Sequence, residues 1–379
     1  MIYFDHAATT KMSEASLQVF MDASREFFAN SESLHDAGTK SAALLEKCRE
    51  SFSELLQVPN RGILFTSGGT ESNQIAIQTL IHTTDKKEVL VSPLEHASVW
   101  QQLMALEQAG KCRINVLPVD SFGQVNPATL EKMISAETGL IIIQHVNSEI
   151  GTIQPIAELA HIAKKAGVFF HTDIVQSFGK IDLDLSDATS FSISSHKIYG
   201  PKGAGILFMK PDSPLQAVLP DVHHEFGFRP GTVNVPAIAA FTTAAYDIIE
   251  NREQEAIRAM KLKAAICDTL EARVEVEGGP NTSPYILGLT LPNMQGQEAL
   301  LALNEADIQI STTSACSLRD LAPSRTLIAT GKTTEEANRF IRLSFGRENE
   351  LNDSIILKKK SINYYEKGDK IEKNIRRYA

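Results

Sequence analysis

The segment TSFSISSHKIYGPKGAGILFM, residues 189–209, decides the fold. Residues 190–194 are a run of β-formers that leads the chain to Lys197. Gly200-Pro201-Lys202-Gly203 then turns it, and Gly205-Ile206-Leu207-Phe208-Met209 begins a second apolar run. This spacing predicts an amine at the end of a buried strand, beside a tight turn. An aldehyde cofactor needs such an amine, desolvated enough to be partly neutral and held in one place. A lysine is by default a solvated surface residue, so the weight falls on what surrounds it.

Working outward, apolar runs at 62–66, 88–92, 113–118, 140–145 and 168–172 also read as strands. Amphipathic segments such as 156–166 lie between several of them. The alternation predicts an α/β fold with a mainly parallel seven-stranded sheet covered on both faces. Ligands of such sheets bind beyond the carboxyl ends of the strands. A long helical pattern over 235–272 leads to a smaller α+β domain with a strand at 286–291, a helix at 296–306 and a strand at 341–344. The expected division is a large domain over 13–250 and a small one from 1–12 and 251–379. Residues 357–379 are rich in lysine and arginine. They read as a solvated helix or frayed tail, with a docking patch for an acidic partner as the other reading.

Composition narrows the class. The 379 residues are 43% hydrophobic and 22% charged, with a formal net charge of −9. That balance suits a globular chain and argues against nucleic-acid binding. Cys48, Cys112, Cys267 and Cys316 have spacings that suggest neither a zinc site nor a disulfide framework. A reducing, cytoplasmic location is expected. The start, MIYFDHAATT, has no signal-peptide pattern, and no apolar stretch approaches the ~20 residues of a membrane span.

The candidate chemistry lies just after the strand ends. Ser67-Gly68-Gly69-Thr70-Glu71-Ser72-Asn73 follows a strand and opens a helix. Glycines let backbone N–H groups approach an anion at a helix N-terminus, and Thr70 adds a hydroxyl, so this reads as a phosphate cup. Gly-rich strand-to-helix turns also arise for geometric reasons alone. Asp173 could keep a pyridine nitrogen protonated, or cap a helix. Asn147 and Gln176 could reach a ring hydroxyl, or serve as turn residues. His96 could stack on a ring and move protons, or be a satisfied loop histidine. Arg342, charged within a strand pattern, calls for an anion: a substrate carboxylate or an internal salt bridge. Cys316 sits among small polar residues, whereas Cys48 and Cys267 fall in helical patterns as core filler, which marks Cys316 as the candidate nucleophile. Gly331-Lys332-Thr333 lacks the upstream glycine of a P-loop, and His223-His224-Glu225 lacks further ligands for a metal.

Together, SGGTESN, HVNSEIGT, HTDIVQS, SSHKIYGPKG, FRPGTVN and SACS…PS occur in one order from Tyr3 to Arg347. In this the chain resembles pyridoxal-phosphate-dependent cysteine desulfurases of the bacterial iron–sulfur-cluster type, within the class V aminotransferase group. The resemblance implies a fold-type I enzyme with pyridoxal 5'-phosphate as cofactor and no metal. It makes Lys197 the Schiff-base lysine, His96 the ring-stacking acid/base and Asp173 the pyridinium partner. Asn147 and Gln176 would contact ring substituents, and Gly69, Thr70, Ser194 and His196 the phosphate. Thr232 would reach the phosphate of the other subunit in a homodimer. Arg342, with Asn147, would bind the substrate, and Cys316 would accept sulfur from L-cysteine as a persulfide, releasing L-alanine. The acceptor would be an iron–sulfur scaffold protein. The FGFRPGTVNVP segment resembles desulfurases linked to NAD biosynthesis, where quinolinate synthase needs a cluster. An aminotransferase, a selenocysteine lyase and a non-catalytic partner subunit are the alternatives on the same fold. The chain departs from the family pattern at His6, at Asn30–His35 and at Val222–Glu225.

Overall fold

The structure, a computed structural model, describes residues 1–270, 272–312 and 323–360. It divides into two compact units. The larger comprises Thr9–Asn147 and Ile153–Arg252; the smaller comprises Met1–Ala8, Ser148–Thr152 and the described part of Glu253–Ala379.

The larger unit is built on a seven-stranded sheet. Its strands are β1 (Ile63–Thr66), β2 (Glu88–Val91), β3 (Arg113–Val116), β4 (Thr138–Ile142), β5 (Phe169–Asp173), β6 (Ser190–Ser194) and β7 (Gly205–Met209), in the order β1-β7-β6-β5-β4-β2-β3. Among these strands only β7 runs antiparallel to its neighbours. The helices are α1 (Glu14–Glu26), α2 (Asp36–Leu56), α3 (Gly69–Thr83), α4 (Ala97–Gln108), α5 (Pro127–Met133), α6 (Ile156–Lys165) and α7 (Val235–Glu250).

Strand alternation explains how they cover the sheet. Val89, Val91, Leu140 and Ile142 pack with Ile77 and Leu80 of α3 and with Val99 and Leu103 of α4. The intervening Leu90 and Ile141 pack instead with Leu130 of α5 and Leu159 of α6. Phe52, Phe65, Phe191 and Phe241 join α2 and α7 to the sheet in a third cluster. Each fully buried ring there contributes about 1.5–3 kcal/mol over an exposed one. Strands buried on both faces read as apolar runs, which is why β1, β2, β4 and β7 were legible, whereas β6 alternates serine with Phe191 and Ile193. Edge strand β3 is shorter than its apolar run and half in solvent.

The helical pattern over 235–272 is not one helix. It breaks at Asn251, whose side-chain amide donates to the carbonyl oxygen of Asp247 at 2.8 Å and ends α7. Helix α8 (Arg252–Cys267) follows.

In the smaller unit, β8 (Glu275–Val276), β9 (Ile286–Thr290), β10 (Ser311–Thr312) and β11 (Phe340–Ser344) form an antiparallel sheet in the order β10-β11-β9-β8. Leu287, Leu289, Ile341 and Leu343 face a core shared with α8 and with α9 (Gly296–Glu305). Arg342 and Gly288, opposite one another in register, therefore point to the other face. Ile2–Tyr3 pairs in parallel with Ile308–Gln309, and Asp5 bridges to Ser344.

Candidate functional site

The cup after β1 is shaped by close backbone packing. Gly68 has φ +147°, a conformation that L side chains rarely adopt, and a Cβ on Gly205 would lie 2.5 Å from the Gly68 Cα. Gly68 is the N-cap of α3 and brings no capping side chain, so the first-turn N–H groups of α3 face the cup. The hydroxyl of Ser194, at the end of β6, is buried and has no hydrogen-bond partner among the described residues. It sits 3.6 Å from where a Cβ of Gly68 would be. Thr70 is exposed at the rim.

Lys197 closes the single 3₁₀ turn Ser195–Lys197 that follows β6, and it is half-buried. Thr10 braces this turn. Its N–H and hydroxyl donate to the carbonyl oxygen of His196, at 2.8 and 3.1 Å, and its Oγ1 accepts the N–H of Tyr199 at 2.7 Å. His196 Nδ1 lies 3.1 Å from Thr9 Oγ1. Burial, followed by the charges of Lys197, Lys202 and Lys180, pushes the His196 ring down to about 4. Lys180 is itself lowered to about 7 by burial and then by Lys197.

Asp173 ends β5, the neighbour of β6. Its Oδ1 accepts the N–H of Val175 at 2.9 Å and its Oδ2 accepts the Asn73 amide at 2.8 Å. It thus shapes the turn after β5 rather than capping a helix. His96 ends the crossing after β2 and caps α4, with the N–H of Ser98 donating to Nδ1 at 3.2 Å. The residue is exposed. Its pKa is lowered chiefly by desolvation; Asp173 works against the shift and Lys197 with it. His96, Asp173 and Lys197 therefore share one electrostatic neighbourhood.

Asn147, Gln176 and Gly69 complete the set. Asn147 follows β4, is buried, and donates to the carbonyl oxygen of Leu94 at 3.1 Å. Gln176 is buried in the turn after β5. A Cβ on Gly69 would meet Val175 at 2.8 Å, so only glycine fits there. Behind them Glu95 accepts the N–H of Gln144 at 2.6 Å, and burial raises its pKa well above the usual carboxylate range.

The aminotransferase class-V family model matches residues 2–355. The chain belongs to this family. It is 42% identical over 357 residues to a NifS-named protein of Bacillus subtilis (strain 168), covering 92% of this chain and 90% of the relative. It is 36% identical to "Cysteine desulfurase IscS 1" of Archaeoglobus fulgidus, covering 92% of this chain and 93% of that one. A solved NifS-like protein superposes with a TM-score of 0.88 at 30% identity, covering 96% of this chain and 99% of that chain. The fold is fold-type I, and the cofactor of the class-V family is pyridoxal 5'-phosphate.

The larger unit fits that cofactor. A helix N-terminus without a capping side chain and a buried hydroxyl with no partner among the described residues suit a phosphate; the Asp173 carboxylate and the Lys197 amine both act electrostatically on His96. The remaining candidates stand elsewhere. Thr232 is exposed, in a loop tied down by the Arg229–Glu71 pair at 3.2 Å. In that loop Glu225 accepts from Arg49 at 2.9 Å and from the Phe65 N–H at 2.6 Å, so this carboxylate serves the fold. Lys332 pairs with Glu277 at 3.0 Å, and Thr333 caps a short helix.

Within the smaller unit, Arg342 is buried and its fork is engaged. Nη2 bonds Asp5 at 2.7 Å and Nη1 donates to the carbonyl oxygen of Ser148 at 2.8 Å. Nε is buried without a partner among the described residues. The salt bridge left open by sequence reading is therefore formed, and it came from a residue far away in the chain. Cys316 lies outside the described residues, as does most of the basic C-terminal stretch. Burial raises the pKa of all three described cysteines, Cys112 to about 11. Cys267 is only half-buried, less enclosed than core filler. Asn73, His171 and Thr10 went unnoticed in the sequence. Asn73 ends the SGGTESN motif and His171 opens HTDIVQS, and that adjacency was the available signal.

No helix among the described residues is long and apolar enough to cross a membrane, and no group of three metal-ligating side chains occurs among them.

Proposed function

We propose that the protein is a cysteine desulfurase that converts L-cysteine to L-alanine and leaves the sulfur on Cys316 as a persulfide. The observation that carries this reading is that Lys197 and Asp173, at or just after the ends of adjacent strands, both act electrostatically on His96, in a chain related over most of its length to proteins bearing that name. When bound, the cofactor acts as an electron sink for the substrate Cα.

The chain's own residues do the rest. The amides of Gly69 and Thr70, with the hydroxyls of Thr70 and Ser194 and the ring of His196, hold the phosphate. Asp173 keeps the ring nitrogen protonated, and Asn147 and Gln176 orient the ring by its substituents. Lys197 Nζ would hold the cofactor, and the same amine is placed to take the substrate Cα proton. His96 would lie beside the ring and move protons at the substrate sulfur. Arg342 would bind the substrate carboxylate through its Nε, which has no partner among the described residues, while its fork keeps Asp5 and Ser148. The Cys316 thiolate attacks the sulfur of L-cysteine: a sulfur–sulfur bond forms, the carbon–sulfur bond breaks, and the carbon is protonated to give L-alanine. The three described cysteines, with raised pKa values, are poor rivals for that role.

The persulfide sulfur passes to an acceptor protein of iron–sulfur cluster assembly. Two copies of the chain form an isologous dimer in which Thr232 reaches the phosphate of the partner's site. The test is release of alanine and sulfide from L-cysteine in the presence of a thiol reductant. Equal amounts are expected, falling about 100-fold or more in Lys197→Ala. Undiminished turnover in that variant would refute the assignment of Lys197.

A further inference from the structure

One buried polar chain in the larger unit is spent on no role described so far. Asn73 lies in the second turn of α3, 1% exposed. Its Nδ2 sits 2.8 Å from Asp173 Oδ2 and 3.0 Å from Ser98 Oγ. Its Oδ1 sits 3.1 Å from His171 Nε2, and His171 Nδ1 lies 2.7 Å from Ser190 Oγ. His171 and Ser190 are wholly buried.

The direction of every bond follows from chemistry. A carboxylate oxygen only accepts, so the Asn73 NH₂ must face Asp173, and the amide cannot be flipped. Its carbonyl oxygen then faces His171 and can only accept, so His171 carries its proton on Nε2. Nδ1 is left to accept the Ser190 hydroxyl. On the other branch, Ser98 takes the second Asn73 N–H, and its hydroxyl lies 2.8 Å from His96 Nδ1, which already accepts the Ser98 N–H. The His96 proton is thereby placed on Nε2. Burial holds the His171 ring down to about 3, so this arrangement stays neutral and does not reverse.

Resting on the reading of Asp173 as the pyridinium partner, we propose that Asn73 and His171 are positioning residues that hold the Asp173 carboxylate toward the cofactor's ring nitrogen and keep the shared proton on that nitrogen. The physical reason is the count of donors. Each N–H given to a carboxylate stabilises its charged form and weakens it as a base. Asp173 receives one from Val175 and one from Asn73, and the second is polarised by the Ser190–His171 chain behind it. With the Asn73 donor gone, Oδ2 becomes a stronger base in a buried place and draws the ring-nitrogen proton to itself. The same hub ties His96 to Asp173 through Ser98, so the two groups above and beside the ring are set together.

The test reads the ring nitrogen itself. Holoprotein reconstituted with pyridoxal phosphate labelled with ¹⁵N in the ring is examined by NMR, beside a thermal melt of each variant. The wild type is expected at the protonated position and Asp173→Asn at the unprotonated one. Asn73→Ala should shift clearly toward Asp173→Asn, and His171→Phe less far in the same direction. His171→Gln, which restores an N–H toward Asn73, should return toward wild type. Should Asn73→Ala fail to fold, Asn73→Ser and the two His171 variants decide the matter alone. A folded Asn73 variant with lowered melting temperature and an unmoved signal overturns the proposal, as does a His171→Phe signal at the wild-type position when it must stand in. An unmoved signal in Asp173→Asn instead overturns the reading of Asp173 on which it rests.

Discussion

Two buried histidines of the larger unit, His145 and His171, are kept neutral by burial. Burial holds His171 to about 3 and His145 to about 4, against an ordinary value near 6.5. The unfolded chain protonates both as pH drops below 6.5, while the folded chain does not until the lower values are reached. Unfolding therefore takes up protons in that window, and stability present above pH 6.5 is lost progressively toward pH 4. For His145 alone the gap corresponds to about 3 kcal/mol at the bottom of the window. Among the described residues His145 Nδ1 is buried with no hydrogen-bond partner. His145→Gln should flatten the fall of melting temperature between pH 6.5 and pH 4 relative to the wild type. Parallel curves for the two proteins would show that His145 is not held neutral.

At the scale of elements, the seven-stranded sheet was legible because its strands are short apolar runs separated by amphipathic helices. The proposed site residues fall at or just beyond strand ends: Asp173 and Ser194 close their strands, and Gly69, Asn147 and Lys197 follow theirs. What escaped was set by partners rather than by periodicity. Two-residue strands such as Glu275–Val276 and Ser311–Thr312 have no pattern of their own. The break at Asn251 depends on one side-chain amide within a continuous helical rhythm. Asp5 meets Arg342 across 337 positions of sequence, and Thr10 meets the lysine turn across 186. Asn73 reads as an ordinary polar position of a helix, and only the fold brings His171 and Asp173 to it. The loop of Cys316 was identified from its small polar residues alone and lies outside the described part of the chain.

For the whole molecule, two consequences of the proposed function can be measured. The exposed Thr232, in a loop anchored by Glu225 and Arg229 to Arg49 and Glu71, suits a residue that completes its partner's site. Sedimentation of the holoenzyme should find a dimer, and a fully active monomer would contradict the shared site. The passage of sulfur from substrate to protein is the central claim. It is tested by mass spectrometry of the intact holoenzyme after exposure to L-cysteine, followed by peptide mapping, for the wild type and Cys316→Ser. The wild type should gain one sulfur atom on the peptide carrying Cys316 while alanine is released. Cys316→Ser should keep the bound cofactor's visible colour, gain no sulfur and release almost no alanine. A sulfur adduct that persists in Cys316→Ser and maps to Cys48, Cys112 or Cys267, or undiminished alanine release by that variant, would contradict it.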